Sequence, residues 1–252
     1  MTPVSLRSVE ISAPFRAAGE HVAIDLGAAS AVFTTRRGGF SSAPYDTLNL
    51  GFLTEDAPES VAANREAVAS QLGVGLAFGR QVHGSDVAVA TEPTDRSRGL
   101  ADVDGQATAT PGVGVIVLTA DCLPIAVCGE GGVAMIHAGW RGLVAGILER
   151  GVETLRDIGV RGPLTAAIGP GAGVCCYEVG DEVHAALGSR PSARRGRHAD
   201  LKAVAARRLR DAGVDEVHDV RMCTICGDPG WFFSHRRDHG RTGRQAGIAW
   251  LN

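Results

Sequence analysis

Two apolar runs near the middle of the chain each lead directly into a chemically reactive side chain. Residues 115–118 precede Cys122, and residues 133–136 precede His137. Short apolar runs bounded by glycine are typical of buried strands. A further run predicts a strand that carries the chain to His83. Because the ends of buried strands hold side chains rigidly, we expect these three endings to form the functional site.

Helical patterns flank these strands. Residues 59–72 place apolar side chains on one side of a helix, and Gly73 provides a stop signal. Residues 200–212 form a second amphipathic pattern. Residues 141–158 are predicted to form one helix that begins just after His137, so the positive end of its dipole would lie near the site.

Composition restricts the class of protein. The chain has 252 residues, of which 44% are hydrophobic and 21% charged, as in ordinary globular proteins. It contains no internal repeat and no Pro/Ser-rich linker, so we expect a single domain over residues 1–252. A formal net charge of -3 gives no general attraction to nucleic acid or to an anionic membrane.

Targeting and assembly signals are weak along the chain. No apolar run approaches the length of a membrane span. Residues 1–20 lack the long apolar core of a secretory signal, so we expect a cytoplasmic protein. Nothing resembles a coiled coil or a swapped arm, and we therefore expect a monomer or a weak homodimer.

The three endings form a His₂Cys set that suits a metal ion. Zinc binds imidazole nitrogen and thiolate sulfur, and catalytic zinc sites keep three protein ligands and one open position. His83, Cys122 and His137 lie far apart in sequence, as is typical of catalytic rather than finger-type sites. The alternative is that these are ordinary buried side chains, since cysteine is among the most buried residue types.

Cys122 also has a metal-free interpretation. It would be a nucleophile activated by His137 or His83, as in Cys-His hydrolases. Asp121 beside it is either a carboxylate that accepts backbone N–H bonds at a strand end, or an acid/base group near the metal.

An arginine and a glycine pair follow a predicted strand near the start of the chain. Arg36, Gly38 and Gly39 form a plausible anion cradle, because backbone N–H groups and a guanidinium can converge on one ligand. A turn with solvated arginines is the alternative that we favour from spacing alone.

The C-terminal part contains a second candidate metal site. Cys223, Cys226, His235 and His239 have the spacing C-x2-C-x8-H-x3-H, which is similar to a zinc finger with a short middle. Strand-end thiols and a surface loop are the alternative, which we favour because short Cys/His patterns often arise by chance. In a reducing compartment, the six cysteines are expected to be buried thiols, ligands or nucleophiles rather than disulfides.

Nine short motifs follow one another from Phe33 to the C-terminus. In chain order they are Phe33-Thr34-Thr35-Arg36-x-Gly38-Gly39-x-Ser41, Leu48-Asn49-Leu50-Gly51, Gln81-Val82-His83-Gly84, Thr119-Ala120-Asp121-Cys122-x-Pro124, His137-Ala138-Gly139-Trp140-Arg141-Gly142, Ile168-Gly169-Pro170, Cys176-Tyr177-Glu178-Val179-Gly180, Cys223-Thr224 and Thr242-Gly243-Arg244. Together they resemble the YfiH-type, or laccase-domain, family of purine nucleoside enzymes. The sequence departs from that family at Gly171, where many members have cysteine, and at His235, where tyrosine is common.

The resemblance implies a zinc enzyme with several purine nucleoside activities in one site. These are phosphorolysis of adenosine, inosine, guanosine and methylthioadenosine, and deamination of adenosine. The family's metal ligands correspond to His83, Cys122 and His137. The implied fold is α+β, a single domain with mixed β-sheets and flanking helices, distantly similar to the catalytic domain of cytotoxic necrotizing toxins. An older claim for the family is copper-dependent oxidation of polyphenols.

These activities make demands that particular residues meet. Deamination needs an activated water molecule, which an open zinc position supplies. Phosphorolysis needs positive groups to hold phosphate beside the nucleoside. The candidates for this role are Arg36, the Gly38-Gly39 turn, Arg141 and Arg244. Asp121 and Asn49 are candidates for the acid or donor that assists departure of the base.

Copper is the rival metal. Copper binds His and Cys sites tightly, so copper occupancy in vitro would prove little. A multicopper site also needs more histidines than this chain can spare, since it has eight and none in a close His-x-His pair.

Overall fold

Alternating side chains of one central strand define the layers of the fold. In β7 (Val113–Thr119), Val115 and Val117 pack into a core between two stacked sheets. Ile116 points the other way, into a core to which helix α1 (Pro58–Leu72) contributes. Successive side chains of a strand face opposite sides, so a strand buried on both faces is apolar throughout.

The first sheet carries α1 on its outer face. The computed structural model describes residues 11–95, 100–188 and 193–252. In this part of the chain the strand β4 runs parallel to β7, and the other pairs of the first sheet are antiparallel. The spatial order is β1 (Arg16–Ala18), β2 (His21–Asp25), β3 (Ala29–Phe33), β14 (Gln245–Leu251), β7 and β4 (Gly75–Ala77).

The second sheet is also mixed. Its two outer pairs are parallel and its three inner pairs are antiparallel. The spatial order is β13 (Glu216–Asp219), β10 (Arg161–Ile168), β8 (Leu123–Glu130), β9 (Gly132–Ala138), β6 (Gly105–Thr108) and β5 (Val87–Val89). A short hairpin, β11 (Arg194–Arg195) and β12 (His198–Ala199), stands apart from both sheets.

Helices cover the outer face of the second sheet. Leu148, Val152 and Leu155 of α3 pack with Val204 and Leu209 of α5 in one core against β8 and β9. The helices on this side are α2 (Trp140–Ala145), α3 (Ile147–Asp157), α4 (Asp181–Ala186) and α5 (Leu201–Asp211). The architecture is α+β with mixed sheets and flanking helices, which confirms the predicted fold class.

Two predicted elements are wrong in detail. The single helix expected over residues 141–158 is broken at Gly146, whose φ of 92° ends α2 and starts α3. The strand expected to reach His83 ends at Ala77, and His83 lies in a loop with a φ of 60°. Within the described ranges, none of the helices combines the length and apolar character needed to cross a bilayer.

Candidate functional site

Cys122 lies in the turn where the chain crosses from β7 in the first sheet to β8 in the second. Asp121 has a φ of 95° in this turn, and the residue is only 7% exposed. One carboxylate oxygen accepts from Thr224 Oγ1 at 2.7 Å, and the other accepts from the Arg236 backbone N–H at 2.7 Å. These two bonds hold the turn in shape, which corresponds to the alternative of a carboxylate that accepts hydrogen bonds at a strand end.

His137 lies near the end of β9 and is oriented by a carboxylate that sequence analysis missed. Its Nδ1 lies 2.7 Å from Oδ1 of Asp104, which is completely buried. Since a carboxylate accepts, Nδ1 carries the proton and Nε2 is the nitrogen left for a ligand. The only sequence signal for Asp104 is its position directly before β6.

The same carboxylate holds the loop of His83. Asp104 accepts hydrogen bonds from the backbone N–H groups of Val82 at 3.1 Å, His83 at 2.9 Å and Gly84 at 2.7 Å. These three bonds fix His83 in its left-handed conformation without a strand around it. Asp104 therefore positions both histidines of the site.

The three expected ligands meet at one point. Each of His83, Cys122 and His137 offers a donor atom within 4.8 Å of the other two, and the two imidazole centroids are 4.9 Å apart. A Cβ at Gly139 would lie 2.9 Å from Cys122 Sγ and 3.3 Å from His83 Cδ2, so any side chain there would displace these two groups. Borderline-soft N₂S donors at this separation fit a zinc ion. We call these three residues the His₂Cys group.

Electrostatics favours an ionised thiol in this group. Burial alone raises the pKa of Cys122, but the charge and hydrogen bonds of His137 and His83 outweigh it and lower the pKa to about 6. For His137, burial lowers the pKa, because it disfavours the charged imidazolium. The Cys122 charge and the hydrogen bond to Asp104 outweigh this effect and raise the pKa above its usual value. A thiolate is both the form that binds metal and the form that attacks as a nucleophile.

Cationic and phenolic side chains surround the His₂Cys group. The pKa of Arg244 is lowered, because its burial outweighs the negative charges of Cys122 and Asp121, which raise it. Burial and then the Cys122 charge raise the pKa of Tyr177 to about 12, so its hydroxyl stays protonated. Within the described residues, Arg141 is exposed and stacks on Trp140 at 4.3 Å without any hydrogen bond or ion pair.

Tyr177 and Arg236 also lie close to the site, and neither was predicted as a site residue from the sequence. Arg236 lies over the Tyr177 ring at 5.3 Å and donates to the Glu178 carbonyl at 2.7 Å. Tyr177 belongs to the motif Cys176–Gly180 and Arg236 follows His235, but only the fold brings these two segments to the same face.

The anion cradle expected at Arg36 is not formed. The Arg36 guanidinium donates to the carbonyls of Asp46, Pro229 and Pro44 and to the Asp46 carboxylate. The Gly39 N–H donates to Thr47 Oγ1 at 3.1 Å. These donors are used to hold their own loop. The alternative of a solvated arginine is also wrong, since the Arg36 side chain is only 14% exposed.

Asn49 has a structural role in place of the expected donor role. It is fully buried, and its amide donates to Thr54 Oγ1 and to Asp56 Oδ2. Its Oδ1 accepts from the Arg244 backbone N–H at 2.9 Å, so Asn49 positions Arg244. Arg244 lines a cavity of about 360 Å³ that also includes Tyr45 and His239.

The second candidate metal site has different members from those expected. Cys223 and Cys226 group with Cys175 and Cys176, all four sulfur atoms lying within 4.8 Å of one another. His235 and His239 belong to neither of the two donor groups found in the described part of the chain. The fold, and not the C-terminal spacing, defines this cluster, which we call the thiol quartet.

Comparison with known proteins matches this chain to one family along most of its length. Residues 30–252 match the family described as multi-copper polyphenol oxidoreductase laccase. A purine nucleoside phosphorylase of Pseudomonas aeruginosa is 43% identical over 234 residues, covering 88% of this chain and 93% of that protein. The purine nucleoside phosphorylase YfiH of Escherichia coli K12 is 39% identical over 235 residues, covering 88% and 93%.

Solved structures share the fold. The hypothetical protein YfiH of Bacillus licheniformis aligns with a TM-score of 0.86 and 30% identity, covering 96% of this chain and all of that one. A Neisseria meningitidis protein aligns with a TM-score of 0.82 and 34% identity, covering 92% and 99%.

Proposed function

Since this chain belongs to the multi-copper polyphenol oxidoreductase laccase family, whose relatives above are named purine nucleoside phosphorylases, we propose that it is a zinc-dependent purine nucleoside phosphorylase. Its substrates are adenosine, inosine, guanosine and methylthioadenosine, with adenosine deamination in the same site. The observation that carries this proposal is the His₂Cys group, with its arginines and protonated Tyr177 close by.

His83, Cys122 and His137 would hold the zinc ion. When bound, zinc supplies the Lewis acidity that deamination of adenosine needs. Asp104 keeps the proton of His137 on Nδ1 and holds the His83 loop, so it is a positioning residue.

In phosphorolysis, a phosphate oxygen bonds to C1′ of the ribose as the glycosidic C–N bond breaks. Arg141 and Arg244 bind the phosphate, because guanidinium groups match its geometry and charge. Nη1 of Arg244 donates to the carbonyls of Thr242 and Gly243, so its Nε and Nη2 are the donors for phosphate. The Tyr177 hydroxyl donates a hydrogen bond to the departing base, whose negative charge grows as the bond breaks. A pKa of about 12 keeps that hydroxyl protonated at neutral pH.

The test is release of free base from adenosine and inosine by zinc-loaded protein, with and without phosphate. We expect release that requires phosphate, is lost in Cys122→Ala and is retained in Cys128→Ala. Cys128 is a matched control because it is a buried thiol outside both donor groups. Formation of inosine from adenosine without phosphate would support the deaminase activity. Release that persists in Cys122→Ala would contradict the assignment.

A metal-free Cys-His hydrolase is the second candidate. The Asp104 carboxylate orients His137, and His137 as the base hydrogen-bonds to the low-pKa thiol of Cys122. This spatial order of acid, base and thiol is the arrangement of such enzymes. Amide or ester hydrolysis by chelator-treated protein, lost in Cys122→Ala, would favour this candidate over the zinc enzyme.

A further inference from the structure

We propose that the thiol quartet binds a structural zinc ion, separate from the His₂Cys group. The four sulfur atoms of Cys175, Cys176, Cys223 and Cys226 lie within 4.8 Å of one another, and those of Cys175 and Cys226 are 3.4 Å apart. A zinc tetrathiolate has Zn–S bonds of about 2.3 Å, which gives sulfur–sulfur edges of about 3.8 Å. The quartet is therefore already near the size that zinc requires.

The backbone around Cys223 is built to stabilise a thiolate. The Gly173 N–H donates to the Cys223 sulfur at 3.3 Å, a bond that favours the thiolate. The Gly227 N–H closes the turn onto the Cys223 carbonyl at 3.1 Å. A Cβ at Gly227 would collide with that carbonyl oxygen, so this tight turn requires glycine. A Cys-x2-Cys turn that directs N–H groups at sulfur supplies two metal ligands from one segment.

The second pair of ligands comes from a distant segment that is locked beside this turn. Gly171 and Cys223 form a parallel β-bridge, and the Thr224 N–H donates to the Gly171 carbonyl at 3.1 Å. Cys175 and Cys226 are 51 residues apart in sequence and are exposed, so no apolar core explains their meeting. Soft thiolates that converge in this way select zinc over hard cations.

A zinc ion here would clamp two segments that build the active face. Cys176 precedes Tyr177, and Cys223 precedes Thr224, whose hydroxyl donates to Asp121 beside Cys122. Zinc bound to the quartet therefore fixes the turn of Cys122 from outside. This role does not depend on the nucleoside chemistry proposed above.

The test uses Cys122→Ala protein, which keeps the quartet and loses the only thiol of the His₂Cys group. We expect it to bind one zinc ion per chain by native mass spectrometry. Its cobalt-substituted form should show the visible bands of a tetrahedral site and a thiolate-to-cobalt charge-transfer band. Adding Cys226→Ser should abolish the zinc and the charge-transfer band, whereas adding Cys128→Ser should leave both.

Either of two results would overturn the proposal. One is a Cys122→Ala protein without zinc or a thiolate–cobalt band. The other is a quartet that forms disulfides, detected as fewer than six alkylated thiols in wild-type protein that is denatured without reductant. Both measurements are made on protein whose quartet is intact, so poor folding of the Cys226→Ser variant cannot produce either result.

Discussion

Replacing Asp104 by asparagine tests how the His₂Cys group is held together. The Asp104 carboxylate is fully buried and accepts from the N–H groups of Val82, His83 and Gly84 and from Nδ1 of His137. An amide keeps one accepting oxygen, and its NH₂ group would face N–H donors. At least two of the four bonds are therefore lost.

The expected loss of stability is large for a substitution that replaces one carboxylate oxygen by an NH₂ group. Hydrogen bonds to a charged group contribute about 1.5–3 kcal/mol each, so losing two costs about 3–6 kcal/mol. At about 2–4 °C per kcal/mol for a chain of this size, the lower figure alone reduces the Tm by about 6–12 °C. Loss of an orienting partner of a ligand also weakens metal binding about 10–100-fold.

The assay is calorimetry of chelator-treated protein, followed by zinc titration in competition with a chromophoric chelator. Asp102→Asn is the matched control, because Asp102 is two residues away and makes an exposed ion pair with Arg80. Exposed pairs contribute little, so neither Tm nor zinc affinity should change in the control. An Asp104→Asn protein with the Tm and zinc affinity of wild type would refute the positioning role of Asp104.

Three further predictions concern the same face. Arg141→Ala should raise KM for phosphate about tenfold by removing a charged donor, whereas Arg36→Ala should lower the Tm and leave that KM unchanged. Steady-state kinetics with varied phosphate separates the two variants. A raised phosphate KM in Arg36→Ala would instead support the anion cradle at Arg36. Gly139→Ala should lower zinc affinity with an unchanged circular dichroism spectrum, because its Cβ would lie 2.9 Å from Cys122 Sγ. Unchanged zinc affinity would show that the His₂Cys group tolerates the methyl. In chelator-treated protein the lowered pKa makes Cys122 a thiolate above about pH 6. The rate of its alkylation by iodoacetamide should therefore rise through pH 6 and then level off. A rise centred above pH 8 would be that of an ordinary thiol and would contradict the lowered pKa.

The elements near the site were predictable because their signals are local. The apolar runs of β7 and β9 are buried on both faces, so they appear in the sequence as continuous stretches that end close to Cys122 and His137. The helix after His137 was extended too far, because amphipathic periodicity continues through Gly146 while the backbone turns there. Only the positive φ of Gly146 separates α2 from α3, and this backbone conformation is set by the tertiary fold.

The parts that were missed depend on long-range pairing. Asp104 reaches His137 because β6 pairs with β9, and no spacing rule links a carboxylate to an imidazole 33 residues away. Arg36 was expected to bind an anion because a sequence shows the donors of an arginine but not the carbonyls that occupy them. Cys223 and Cys226 were paired with nearby histidines, whereas the bridge from Gly171 to Cys223 supplies the other two thiols.

The family description and the names of the relatives point to different chemistries, and the donor atoms favour one of them. A multicopper centre needs clustered histidines, yet within the described residues only His83 and His137 join a donor group. Others are engaged elsewhere: His21 accepts from a backbone N–H, His184 contacts a carbonyl and His218 pairs with a glutamate. Because copper outcompetes zinc for almost any imidazole and thiolate site, copper bound in vitro would reflect general affinity. An N₂S donor group with Arg244 and Tyr177 close by therefore supports nucleoside chemistry more than oxidation of phenols.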